Sequence, residues 1–100
     1  MQIERKHLAI IKNILQKYPY TFYAFGSRVK GKSRRSSDID ICFVESIPFN
    51  IQAHIEEDFE ESDLPFRVDL SDYNLMSEDF KKLIEKDLTL LQAAPQSKIS

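Results

Sequence analysis

Residues 38 to 44, DIDICFV, alternate with a period of two, and this stretch limits the architecture more than any other. Asp38, Asp40, Cys42 and Val44 fall on one face of the implied strand, and Ile39, Ile41 and Phe43 on the other. A second segment, FRVDLS at 66–71, repeats the pattern, with Phe66, Val68 and Leu70 opposed to Arg67, Asp69 and Ser71. Two strands of this kind require a sheet with an apolar face to bury and a polar face to use.

The remaining elements follow from periodicity and punctuation. Residues 3–18 carry Ile3, His7, Ile10, Ile11, Ile14, Leu15 and Tyr18 on one helical stripe, which Pro19 ends. YTFYAF at 20–25 reads as a strand covered on both faces, broken by Gly26. Ser27 can cap a short basic helical turn closing near Gly31. Pro48 opens a helix with Ile51, Ile55 and Phe59 at four-residue spacing, ending near Ser62; its EEDFEES segment is its wet side. Ser77 caps a last helix with Phe80, Leu83 and Ile84 as its stripe, and DLTLLQ is assigned to a short edge strand. The order predicts an α/β (α+β) fold, a small mixed sheet flanked by helices, as a single domain over 1–92 with a flexible tail at 93–100.

Bulk properties narrow the function. The formal charge is −2, so attraction to nucleic acid is not a property of the whole molecule, and nucleic acid is an unlooked-for partner. No apolar run reaches the ~18 residues that span a bilayer, so no membrane role is expected. The single cysteine, Cys42, excludes an internal disulfide and reads as core filler in a cytoplasmic protein. A 100-residue core is thin, and association with a partner or a second copy would support it.

The carboxylates carry the chemistry. Residues i and i+2 of a strand lie roughly 6.5–7 Å apart on one face, so the charges of Asp38 and Asp40 repel each other unless a cation intervenes. Mg²⁺ takes oxygen ligands, commonly one or two carboxylates plus substrate phosphates, and a second ion about 3.5–4 Å away can share the pair. Asp69 is the natural third carboxylate if its strand lies alongside, with Asp72 as the alternative. Ahead of them, GSRVKGKSRR places Arg28, Lys30, Lys32, Arg34 and Arg35 within eight positions behind Gly26 and Ser27. A glycine that admits close approach, followed by a helix start with free N–H groups, suits phosphates. The bland alternatives are a solvated basic face, a simple turn and cap, and exposed edge carboxylates.

Gly26-Ser27, ten intervening residues and Asp38-Ile39-Asp40, with the later acidic strand FRVDL, resemble the nucleotidyltransferase superfamily that includes DNA polymerase beta. The likeness spans roughly residues 3 to 92 and is nearest the minimal nucleotidyltransferases that form the antitoxin half of HEPN/MNT toxin–antitoxin pairs. It implies two Mg²⁺ ions at Asp38, Asp40 and Asp69, nucleotide contacts at Gly26, Ser27 and Arg28, and transfer of AMP from ATP. Lys30 and Arg34 are further candidates for the nucleotide. The implied acceptor is a tyrosine of a partner HEPN toxin. The competing functions are a non-catalytic antitoxin that covers its partner, and a nucleic-acid-binding protein acting through residues 28–35.

Overall fold

The computed structural model describes residues 3–25 and 38–95. Its centre is β2 (Ile39–Phe43), fully buried through Ile39, Ile41 and Phe43 as its alternation requires. On one side it pairs antiparallel with β1 (Phe22–Phe25), and on the other parallel with β3 (Val68–Asp72). β4 (Thr89–Gln92) adds antiparallel to β1, giving a four-stranded mixed sheet in the order β3-β2-β1-β4. Parallel pairing needs a crossover, and α2 (Phe49–Glu60) supplies it between β2 and β3.

Two helices bury one face of this sheet. α1 (Arg5–Leu15) contributes Ile11, Ile14 and Leu15, and α2 contributes Ile55 and Phe59, to a core with Phe22, Ala24, Ile39, Ile41 and Phe43. Both helices match the periodicity of their sequences, although α1 stops three residues before the predicted stripe does. Beyond Leu15 the chain turns through Tyr18 and Pro19, with the Leu15 carbonyl accepting from the Tyr18 N–H and the Tyr18 carbonyl from the Tyr20 N–H. Gln92 on β4 braces this turn: its Nε2 lies 2.8–3.0 Å from the carbonyls of Leu15, Tyr18 and Tyr20, its two hydrogens shared among the three. A second tie joins the turn after α1 to α2, where the Tyr18 hydroxyl and Lys17 ammonium both donate to Asp58.

α3 (Glu78–Glu85) lies on the opposite face. The Ser77 hydroxyl accepts from the Phe80 N–H at 3.1 Å, the predicted cap, with Glu78 and Asp79 in the first turn. Of its apolar stripe only Ile84 is buried, against Phe25 and Cys42. Phe80 meets Phe25 edge-on at 6.1 Å yet stays 40% exposed, and Leu83 is 66% exposed. So β1 is covered on both faces, as its aromatic sequence implies, but a helix of eight residues covers the second face only locally.

The mixed α+β class, the strand 89–92 and the order of the described elements agree with the sequence. One addition is a 3-10 turn at Tyr73–Leu75, set by an Asx interaction in which Asp72 Oδ1 accepts from the Asn74 N–H. The Asn74 amide in turn donates to the Val44 carbonyl at 2.7 Å, anchoring the end of β3 to the end of β2. The predicted basic turn at 27–31 lies outside the described residues. The assigned tail at 93–100 is described only to residue 95, and there the Ala94 N–H donates to Thr21 Oγ1 at 3.0 Å.

Candidate active site

The parallel register decides where the carboxylates sit. Asp40 is the direct partner of Asp69, Ile41 of Leu70, and Cys42 of Ser71. Partners in register project to the same face, with strands ~4.8 Å apart. Asp40 and Asp69 are therefore neighbours, and Asp38, two residues before Asp40, shares their face. The opposite face at these positions belongs to Ile39, Ile41, Val68 and Leu70 and is occupied by the helical core. Slipping either strand by one residue would drive its carboxylates into that core, so hydrophobic burial fixes the cluster.

The same logic separates Asp69 from Asp72. Asp72 is the partner of Phe43, a residue of the buried apolar face. An odd number of residues from Asp69, it leaves the carboxylate face and spends an oxygen on the Asn74 N–H. Between the two alternatives that the sequence left open, only Asp69 stands beside Asp40.

The electrostatics carry the signature of crowding. Asp40 is half-buried and its carboxyl pKa is raised above the ordinary value, first by burial, then by the negative charge of Asp69, then by that of Asp38. Among the described residues no lysine, arginine or histidine forms an ion pair with any of the three. No group of three acidic, imidazole or thiol side chains is already gathered into a metal cage among these residues. The donor set nonetheless fits a hard divalent ion: all oxygen, surplus negative charge, and too few ligands to enclose the ion without a substrate. Even three carboxylates, each bound through one oxygen, would leave an octahedral ion about three positions for phosphate and water.

The wall of the site is apolar. Phe25 is the register partner of Asp40 across β1, and Cys42 follows Asp40 on the same face. Together with Ile84 they form a small buried cluster flanked by Tyr23, Tyr73, Met76 and Leu88. Burial pushes the Cys42 thiol up to about 11, which makes it a poor nucleophile and a good spacer. The sequence marks Cys42 as filler, but nothing in it identifies Phe25 and Ile84 as the wall; antiparallel register between two distant strands supplies that. Gly26, Ser27, Arg28, Lys30 and Arg34 lie outside the described residues. β1 ends at Phe25, opposite Asp40, so the chain enters that segment beside the carboxylates.

Comparison with known proteins agrees with this arrangement. The family described as polymerase beta nucleotidyltransferase matches residues 10–96. The chain is 45% identical over 96 residues to the Haemophilus influenzae protein named "Probable protein adenylyltransferase MntA", covering 92% of this chain and 84% of that one. A toxin–antitoxin crystal structure with AMP-PNP shares the fold at a TM-score of 0.68 and 23% identity, over 87% of this chain and 73% of the other. A mutant MntA–HpeT toxin–antitoxin structure does so at 0.61 and 17%, with the same coverage. The chain belongs to the polymerase beta family and is a nucleotidyltransferase.

Proposed function

We propose that this protein transfers AMP from ATP to a hydroxyl group of a partner toxin, a tyrosine of a HEPN-type protein, and thereby acts as its antitoxin. The observation that carries the reading is the β2–β3 register, which sets Asp69 beside Asp40 on the face that also holds Asp38. The related H. influenzae protein is named as a protein adenylyltransferase, and both fold neighbours are toxin–antitoxin assemblies, one of them with AMP-PNP. The mutant neighbour carries two aspartates changed to glutamate two positions apart, the spacing of Asp38 and Asp40 here.

In this reading Asp38 and Asp40 would hold two Mg²⁺ ions and Asp69 the one nearer the acceptor. When bound, such ions neutralise the triphosphate and lower the pKa of a ligated hydroxyl. The acceptor oxygen attacks the α-phosphorus in line; the new P–O bond forms as the bond to the β-phosphate bridge breaks. Pyrophosphate departs with the electron pair, and the Asp69 carboxylate receives the hydroxyl proton. Gly26, Ser27, Arg28, Lys30 and Arg34 would serve the β and γ phosphates through backbone N–H groups, a hydroxyl and positive charge. The Phe25–Cys42–Ile84 wall excludes water from one side, which strengthens these charge interactions.

The test is to incubate the protein with a HEPN-type partner, Mg²⁺ and α-labelled ATP, then separate the chains under denaturing conditions. Covalent label on the partner's tyrosine is the expected result. Tight association without label would replace this reading with a non-catalytic antitoxin. Magnesium-independent, salt-sensitive binding of oligonucleotides instead would replace it with a nucleic-acid-binding role.

A further inference from the structure

β3 is an edge strand. The sheet order places β2 on one side of it and, among the described residues, no strand on the other. A groove of about 710 Å³ runs along this free edge, between β3 and the second half of α2. Phe59, Leu64, Val68 and Leu70 form its apolar walls, and the exposed carboxylates of Glu56 and Glu60 line its helical rim. Arg67 also lines it, two residues before Asp69 along the chain. Asp69 belongs both to the groove and, through its register with Asp40, to the carboxylate cluster. The groove and the reacting centre are therefore continuous around the edge of the sheet.

We infer that this edge is the docking site for the acceptor: an extended, basic–apolar segment of the partner protein that pairs with β3 as a fifth strand. The inference rests on the adenylyl-transfer reading above and specifies how its acceptor is held. Backbone groups on the free side of β3 supply hydrogen bonds to any extended chain, and side-chain alternation supplies the selection. An added strand lies ~4.8 Å from β3, with successive residues on the same two faces as the sheet. A hydroxyl residue placed on the Asp69 face stands next to the carboxylate that receives its proton. Its immediate neighbours in sequence then fall on the groove face, against Val68 and Leu70. Residues three positions away share that groove face and reach the Glu56 and Glu60 rim, which favours lysine or arginine there. The charge of the rim argues against the triphosphate itself as the occupant, since Glu56 and Glu60 together outweigh Arg67 and would repel it.

A defined probe tests this: the peptide KKTVYVTKK, with the tyrosine on one face and valines at the adjoining positions on the other. Two controls are KKVTYTVKK, which moves the valines into the tyrosine register, and EETVYVTEE, which reverses the charge. With Mg²⁺ and α-labelled ATP, the first peptide is expected to be labelled on tyrosine with a kcat/KM at least about tenfold above either control. The double variant Glu56→Lys/Glu60→Lys is expected to raise KM for this peptide by about tenfold, roughly the size of losing a pair of rim charge contacts, with kcat little altered. Addition of ¹⁵N-labelled protein should show shifts in the Val68–Asp72 amides on titration with the peptide. Equal labelling of all three peptides, an unchanged KM in the double variant, or competition between peptide and ATP for the groove would overturn the docking inference while leaving adenylyl transfer standing. Labelled partner protein with no labelled peptide and no β3 shifts would overturn it likewise. Absence of both ATP binding and transfer to any acceptor would instead remove the activity on which it rests.

Discussion

The two faces of this sheet are built from the same strands yet answer to different demands. Among the described residues, the face toward α1 and α2 gathers twelve buried apolar residues, whereas the face toward α3 gathers only Phe25, Cys42 and Ile84. Stability resides on the first face, and the proposed chemistry belongs to the second. The comparison shows why a small domain can tolerate three crowded carboxylates: alternation lets the apolar residues of β2 and β3 hold the strands in register while their alternate positions bear charges that repel. The energy that pins Asp40 beside Asp69 comes from Ile39, Ile41, Val68 and Leu70 on the other side of the same backbone.

Substitutions can break this division, starting with the largest effect. Asp40→Asn is expected to lower AMP transfer by at least about 1,000-fold, roughly 4 kcal/mol of transition-state stabilisation, in the labelled-ATP assay. The same change should not lower the thermal midpoint at neutral pH. The folded-state pKa of Asp40 is raised, so the ionised group is a liability above that pKa, and the liability fades as pH falls through it. The variant's advantage over the parent should shrink correspondingly on acidification. A cooperative melt well below that of the parent at neutral pH would contradict the division of labour. On the other face, Phe22→Ala removes a fully buried ring and is expected to cost about 3–5 kcal/mol in denaturant unfolding.

Smaller effects sharpen the comparison at the margin of the helical face. Tyr18→Phe removes the hydrogen bond to Asp58 and should cost about 1 kcal/mol, discounted because the pair is partly exposed. The Tyr18 hydroxyl pKa is pushed up to about 12, by burial first and then by the hydrogen bond and charge of Asp58. Its contribution is present below the ordinary value near 10 and is lost as pH rises toward 12, so the parent should lose more stability than Tyr18→Phe across that window. Asp58, lowered by Tyr18 and Lys17, works in the opposite direction: its share is lost as pH falls through its depressed pKa. Ser77→Ala, removing the cap of α3, should cost about 1 kcal/mol and leave the carboxylate register intact, as judged by urea melts and amide spectra.

Much of this design is legible in the sequence because it depends on local periodicity. DIDICFV declares its two faces without reference to any other segment, and the four-residue spacing of Ile51, Ile55 and Phe59 announces α2. What periodicity cannot supply is pairing. That Asp40 meets Asp69 and not Asp72 follows from parallel register, which only the assembled sheet fixes. The stripe of α3 misleads for a related reason: Phe80, Leu83 and Ile84 have helical spacing, but the sheet face beneath them is partly given over to the carboxylates, so Leu83 finds nothing to cover it among the described residues. Gln92 carries no signal at all in the sequence, and its role at the end of α1 emerges from three carbonyls that a turn some 75 residues earlier brings within reach of its amide. Glu56 and Glu60 read as a solvated helix face, and they are exposed; their place on the groove rim depends on where β3 returns.

The central claim is that Asp38, Asp40 and Asp69 act together on a divalent ion with the nucleotide, held by a register that excludes Asp72. Binding of Mn²⁺ in the presence of a non-hydrolysable ATP analogue, followed by electron paramagnetic resonance, tests it most directly. The account predicts that Asp40→Asn and Asp69→Asn each weaken Mn²⁺ binding by at least about tenfold, the equivalent of 1.4 kcal/mol, while Asp72→Asn leaves it unchanged. Undiminished binding by Asp69→Asn, or its loss in Asp72→Asn, would contradict it.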